Sequence, residues 1–199
     1  MSEHPKDALG AKMGMWLFLF TEILLFGGLF VLYAVTLQRF PDEFHAGGKM
    51  LDLTMGTLNT VVLITSSLSV ALAVVALQKG ETKRAKIFLI ITLVLAAVFL
   101  VDKYFEWGAK IHHGIYPGGA EMAAFDPGLQ AFFNLYYIMT GLHGLHIIIG
   151  MGALTWVYWL IEKGHCNPEY NVALENGGLY WHLVDLIWIY LFPLYYLIA

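Results

Sequence analysis

Runs of apolar side chains recur five times along the chain, separated by short polar stretches. Each is close to the about 20 residues that a helix needs to cross about 30 Å of hydrocarbon. They occupy residues 13–37, 57–77, 87–107, 130–161 and 177–198. Lys12 and Arg39 bound the first, Gln78, Lys79 and Gly80 close the second, and Lys86 precedes the third. The fourth carries no formal charge and is long enough to need tilt or an end outside the core. A barrel strand alternates apolar and polar positions over about ten residues, whereas these runs are apolar on every side. The pattern therefore predicts an all-α integral membrane bundle of five transmembrane helices, with residues 1–199 as a single domain. The first run is about twice the length of a signal-peptide core and no small-residue cleavage pattern follows it, so it reads as a retained helix.

Charge in the short connections sets the expected orientation. One side gathers Lys6, Lys12, Lys79, Lys83, Arg84, Lys86 and Lys163, and the other Arg39, Lys49 and Lys110. This asymmetry places the N-terminus in the cytoplasm and Ala199 outside. The longest connection, residues 111–129, contains Tyr116-Pro117-Gly118-Gly119 and Asp126-Pro127-Gly128. Both are turn chemistry, so the connection is expected to be an ordered outer loop.

Composition agrees with the pattern and removes whole classes of function. Hydrophobic residues make up 59% of the 199 and charged residues 13%, against roughly 25% charged for a soluble domain. Mean hydropathy is +0.67. A net charge of −4 without a basic cluster leaves nothing to neutralise a run of phosphates, which excludes nucleic acid. The single cysteine, Cys166, excludes an intramolecular disulfide, a multi-thiolate zinc or iron–sulfur site, covalent haem and a two-cysteine copper centre.

What remains informative is the set of polar residues inside the runs, since an ionisable side chain near mid-membrane costs roughly 2.5–3.5 kcal/mol and needs a partner or a use. Glu22 lies in Leu19-Phe20-Thr21-Glu22-Ile23-Leu24, with no lysine or arginine at comparable depth. It is either a neutral or hydrogen-bonded carboxyl joining two helices, or a proton-exchanging or lipid-contacting group. Asp102 and Glu106 share a helix face, and Lys103 can reach Glu106 three residues on. They form an interhelical charge network or, alternatively, part of a metal site. His143 and His146 are three apart, as are His182 and Asp185. These four either bond between helices, with Gly141 and Gly144 permitting close approach, or ligate a metal or haem. Trp156, Tyr158, Trp159, Trp188, Tyr190, Tyr195 and Tyr196 read as interfacial belts. His112, His113 and His165 fall in connections and read as solvated.

Several segments carry a resemblance. Thr140-Gly141-Leu142-His143-Gly144-Leu145-His146-Ile147-Ile148-Ile149-Gly150 resembles the signature of subunit III of haem–copper oxidases. Trp181-His182-Leu183-Val184-Asp185-Leu186-Ile187-Trp188 resembles that family's terminal helix, and the stretch around Glu22 its carbodiimide-reactive carboxylate segment. Phe99-Leu100-Val101-Asp102-Lys103-Tyr104-Phe105-Glu106-Trp107 resembles the segment ending in the family's carboxylate before the outer loop. The likeness covers nearly all five runs, in order, and matches the five-helix bacterial form.

The resemblance implies a non-catalytic subunit of a respiratory terminal oxidase in the bacterial cytoplasmic membrane, with no haem or copper of its own. Those cofactors would sit in the catalytic subunit I and in a copper-bearing or quinol-oxidase-type subunit II. It implies support of proton uptake, protection of the active centre during turnover, and phospholipid in a cleft between the first two helices and the last three. Glu22 and Glu106 take the buried-carboxylate roles, and His143, His146, His182 and Asp185 the helix-packing or lipid-contacting set, with no catalytic residue. Electron donor (cytochrome c or quinol) and terminal acceptor (oxygen or nitric oxide) leave no mark on such a subunit, so a quinol oxidase or nitric oxide reductase accessory protein is the near alternative. A self-standing membrane protein binding metal through the histidines and Asp185 is the distant one.

Overall fold

The computed structural model describes residues 8–198 and is built from helices throughout. Lys6 and the two termini, which enter the orientation argument, lie outside the described residues. Five long helices are α1 (Ala8–Arg39), α3 (Leu53–Gln78), α4 (Thr82–His112), α6 (Pro127–Glu162) and α7 (Val172–Tyr196). Two short ones, α2 (Pro41–Lys49) and α5 (Ala120–Ala123), lie in connections. Each apolar run sits inside one long helix except at 197–198, and the helices extend beyond the runs into polar sequence. α1, α3, α4 and α6 are long and apolar enough to cross a membrane; α7 has the length, but its histidine, aspartate and many ring residues lower its apolar character.

Local chemistry sets the ends. Asp52 caps α3 by accepting from the backbone N–H groups of Thr54 (2.8 Å) and Met55 (3.2 Å). Pro127 opens α6, where its missing N–H costs nothing. Gly80 and Gly164, at φ 80° and 75°, follow the ends of α3 and α6 in the left-handed conformation that a Cβ disfavours.

Packing closes α3, α4, α6 and α7 into a four-helix ring, each helix touching the next, with α1 laid in the groove between α6 and α7. Two seams with seven-residue spacing make this possible. Leu19, Phe26 and Tyr33 are the buried residues of α1, while Trp181, Trp188 and Tyr195 line the inner face of α7. The seams meet where the Tyr33 and Tyr195 rings stand edge to face, 5.2 Å apart. α2 covers this end: Phe44 is wholly buried between Tyr33 and Phe132. The Tyr33 hydroxyl donates to the Leu194 carbonyl, and the His45 ring contacts that of Ile198. The connection after α4 is ordered as expected, with Met122 buried and Tyr137 donating to the Ile115 carbonyl at 2.6 Å.

Three expectations are corrected. Trp188, Tyr195 and Tyr196 belong to the core, not an interfacial belt, because each polar tip finds a partner inside: Thr60, Met139 and Glu106 respectively. Trp156, Trp159 and Tyr190 are exposed, as a belt requires. The first two long helices do not form a group that opens a cleft against the last three; α3 belongs to the ring and α1 docks on its opposite side, on α6 and α7. Gly144 has open space where a Cβ would stand, and Gly141 faces only the Trp107 indole, so neither brings two backbones together. Gly150, at the end of the same motif, is packed by side chains of α7: a Cβ there would meet the Trp181 ring at 2.9 Å and Tyr180 at 3.1 Å.

Gly150→Val should therefore lower the thermal unfolding midpoint of the detergent-solubilised protein, reflecting a cost of about 1–3 kcal/mol from overpacking. Gly144→Ala should leave it unchanged; equal losses at both positions would contradict this packing.

Candidate functional site

Glu22 stands about 20 Å along α1 from Ala8, counting 1.5 Å per residue, on the side turned to α6. Its Oε2 is 2.8 Å from His146 Nε2. The other ring nitrogen, His146 Nδ1, is 2.7 Å from the Leu142 carbonyl oxygen. A carbonyl can only accept, so Nδ1 carries a hydrogen, and the bond between Nε2 and Glu22 holds one further proton. That proton belongs either to a carboxylic acid donating to a neutral ring or to an imidazolium donating to a carboxylate. Both forms are neutral overall, which is what hydrocarbon tolerates. The Phe26 ring stands edge-on to His146 at 5.2 Å, and the Tyr180 hydroxyl donates to the His146 carbonyl at 3.1 Å.

The pair lies close to the deep end of a wedge of about 680 Å³ between α1, α6 and α7. Met15, Phe18, Trp156, Leu160 and Tyr180 give it apolar walls, and His165, Glu169 and Asn176 stand at its polar mouth. At the same end of the bundle Lys12 Nζ reaches Glu175 Oε2 at 2.6 Å, and Gln78 Nε2 reaches Oε1 of the same residue at 3.0 Å, so α1, α7 and α3 are clasped together. Lys86 and Glu162, 2.6 Å apart, clasp α4 to α6. Cys166, in the connection beside this end, is buried, and burial pushes its thiol up from its ordinary value.

A second polar centre lies toward the opposite end. Glu106 accepts from three groups, Lys103 Nζ on Oε2 at 2.6 Å and the Tyr136 and Tyr196 hydroxyls on Oε1 at 2.7 Å each, and Lys110 Nζ forms a longer ion pair with it at 3.7 Å. Lys103 also donates to the Tyr196 hydroxyl at 2.6 Å and lies 4.6 Å from the centre of the Trp188 ring. The predicted reach from Lys103 to Glu106 is present. Asp102 turns to α3 instead, where Asn59 Nδ2 donates to it at 2.6 Å. Both carboxylates thus belong to interhelical networks with different neighbours.

The remaining polar residues are not gathered. His143 is wholly buried with neither ring nitrogen hydrogen-bonded, held between the Phe99 and Trp188 rings at 5.6 and 5.3 Å. His182 Nδ1 is 2.7 Å from Ser67 Oγ on α3, and the buried Asp185 carboxylate has no hydrogen-bond partner meeting ordinary geometry. His146 therefore faces α1, His182 faces α3, and His143 faces rings. Among the described residues no three His, Cys, Asp or Glu side chains converge as metal ligands. The four residues proposed from the sequence as one ligand set thus point to separate neighbours and do not form a single cluster. His112, His113 and His165 are exposed, although His112 ends α4 and is not in a loop. The partners that sequence reasoning missed are Ser67, Asn59, Tyr136 and Tyr196. The seven-residue repeat Trp181, Trp188, Tyr195 was the available signal that the aromatic face of α7 points inward.

Removing one member of the Glu22–His146 pair leaves the other unsatisfied, at a cost of about 1–3 kcal/mol. Glu22→Leu and His146→Leu should each lower the unfolding midpoint, while the double variant should recover part of the loss. Additive losses in that double-mutant cycle would show that the two do not interact.

Comparison with known proteins supplies the frame for this geometry. The family model described as Cytochrome c oxidase subunit III matches residues 3–199. The chain is 32% identical over 198 residues to cytochrome c oxidase subunit 3 of Thermostichus vulcanus, covering 99% of this chain and 90% of that one. It is 30% identical over 192 residues to quinol oxidase subunit 3 of Bacillus subtilis, covering 94% and 86%. It is also 31% identical over 202 residues to the heme-copper oxidase subunit I+III of Aeropyrum pernix, covering 98% of this chain and 23% of that longer protein. With its helical membrane architecture and this match along nearly its whole length, the chain belongs to the cytochrome c oxidase subunit III family of haem–copper oxidases.

Proposed function

We propose that this chain acts as the accessory third subunit of a bacterial respiratory terminal oxidase, beside a catalytic subunit I and a copper-bearing or quinol-oxidase-type subunit II that hold the haem and copper. The observation that carries this reading is the Glu22–His146 pair, a neutral one-proton hydrogen bond between α1 and α6. Such a pair suits a role in proton supply and helix anchoring. The Aeropyrum pernix relative, whose name joins subunits I and III in one chain, supports contact with subunit I.

In this reading all five long helices cross the cytoplasmic membrane, with the start of α1 inside. α7 spans because it is flanked by α1, α3 and α6 along its length, so that His182 and Asp185 face protein. The Lys and Arg of the α3–α4 and α6–α7 connections then lie in the cytoplasm. A phospholipid acyl chain occupies the wedge between α1, α6 and α7, its walls apolar and its mouth at the polar boundary beside Lys12 and His165. Glu106 bonds α4 to α6 and α7, His182 bonds α7 to α3, His143 packs between rings of α4 and α7, and Asp185 lies buried on the inner face of α7.

Relatives named for cytochrome c and for quinol both match, and the donor belongs to the other subunits. Affinity purification of the tagged chain from native membranes should recover a haem-bearing multi-span partner. Within that complex Glu22→Gln should leave assembly intact and slow proton uptake or hasten inactivation during turnover. Recovery of the chain alone would overturn the reading; wild-type behaviour of the assembled variant would reduce Glu22 to anchoring.

Orientation has its own test, aided by the buried native thiol. In right-side-out vesicles a membrane-impermeant maleimide should label Lys49→Cys at once and Lys83→Cys only after permeabilisation, both positions being exposed. The reverse order would invert the topology.

A further inference from the structure

The Glu106 centre lies within an unbroken array of oxidisable rings. Trp188 adjoins Tyr196 at 6.3 Å between ring centres, and the Tyr196 and Tyr136 hydroxyl oxygens are 3.4 Å apart. Tyr136 meets Tyr195 at 5.4 Å, and Tyr195 meets Tyr33 at 5.2 Å. On the other side Tyr136 adjoins Tyr137 at 5.4 Å, and Tyr137 adjoins Trp107 at 5.0 Å. The array runs through α4, α6, α7 and α1, in contact throughout and shielded from water except toward the half-buried Trp107.

A phenol gives up an electron readily only if its proton has somewhere to go, because the protonated radical cation is a far stronger acid than the phenol. Tyr33 and Tyr137 donate to backbone carbonyls, and Tyr195 donates to the Met139 sulfur. None of these is a useful base. Tyr136 and Tyr196 are, among the described residues, the phenols hydrogen-bonded to a carboxylate. Two features then separate them. Lys103 donates to the Tyr196 hydroxyl, drawing electron density from it, and the same ammonium lies against the Trp188 ring, where it opposes a positive charge on the indole. Lys103 and Lys110 also lie over the Tyr136 ring, but farther off, at 5.8 and 5.9 Å against 4.6 Å at Trp188 and 5.0 Å at Tyr196, and neither donates to the Tyr136 hydroxyl.

We propose that Tyr136 is a redox-active tyrosine with Glu106 as its proton acceptor, at the centre of a Tyr/Trp relay that takes up oxidising equivalents from an oxygen-derived radical. In the step, the Tyr136 ring loses one electron to an alkoxyl or peroxyl radical, which becomes the corresponding anion and takes a proton from water. The phenolic O–H bond breaks, its proton passes to the Glu106 carboxylate, and a neutral phenoxyl faces a carboxylic acid. Recovery takes one electron from a membrane hydroquinone, which leaves as a semiquinone and releases a proton to water; Glu106 returns its proton to the phenol. The relay rings beside Tyr136 share the hole, while the proton stays at the one base in reach. This function is independent of which electron donor the surrounding complex uses.

The test is electron paramagnetic resonance on the purified complex in lipid nanodiscs, oxidised by flash photolysis of a ruthenium tris-bipyridine sensitiser with persulfate and frozen at once. Wild-type protein should give a neutral tyrosyl signal that narrows on ring-deuteration of tyrosine. Tyr136→Phe should lower its yield several-fold, whereas Tyr190→Phe, remote from the array, should not. Glu106→Gln, which cannot take the proton, should lower the yield similarly while Tyr136 remains. If either variant fails to assemble, spin-trap adducts mapped by mass spectrometry on wild-type protein decide, with the adduct expected at Tyr136. A signal unaffected by Tyr136→Phe, or adducts confined to exposed rings such as Tyr104 and Trp156, would overturn the proposal.

Discussion

Hydrocarbon offers no hydrogen bonds, so a polar group carried into it is costly when left alone, as His143 and Asp185 are, and fixes its helix when it finds a partner. The most exacting case is Glu22. It sits on α1, whose buried contacts are limited to the thin seam of Leu19, Phe26 and Tyr33, and it answers to His146 across a gap that only one proton bridges. Because Leu142 fixes the hydrogen on Nδ1, the pair is neutral in either protonation arrangement. A helix held so sparingly elsewhere is thereby placed on the ring of four at one depth and one rotation.

The rest of the architecture follows from similar pairings. Toward one end Lys12, Glu175 and Gln78 join three helices; toward the other, Glu106 collects donors from α4, α6 and α7. At the Lys12 end α1 and the neighbouring pair diverge enough to leave the wedge. The wedge and the economy of contact on α1 go together, since α1 buries only Leu19, Phe26 and Tyr33. The same logic explains the aromatic interior. Tryptophan and tyrosine are costly inside a bundle unless their tips are bonded, and Thr60, Ser66, Glu106 and Met139 supply those bonds.

The five long helices were legible from the apolar runs, though not α2, α5 or the extensions into polar sequence, and the Lys103–Glu106 contact was legible because three residues make about one turn. Which helices touch was not. Runs apolar on every side carry little directional signal, so the place of α1 on α6 and α7, away from α3, emerges only in three dimensions. Trp188, Tyr195 and Tyr196 face the core although they lie toward the end of a span, because the seven-residue repeat of Trp181, Trp188 and Tyr195 turns that side of α7 inward. Gly150, packed against the Trp181 and Tyr180 rings, lies at the end of the same motif as Gly141 and Gly144. Glu22 was visible as an anomaly, but its partner, 124 residues away in sequence, was not.

The claim on which this account turns is that Glu22 and His146 hold a single proton between them and no net charge. Isotope-edited infrared spectroscopy of the assembled protein, with labelled glutamate and histidine and the Glu22→Gln variant as subtraction, measures both partners at once. The account requires a carboxylic acid paired with a neutral ring, or a carboxylate paired with an imidazolium. A carboxylate at Glu22 beside a neutral imidazole at His146 would contradict it.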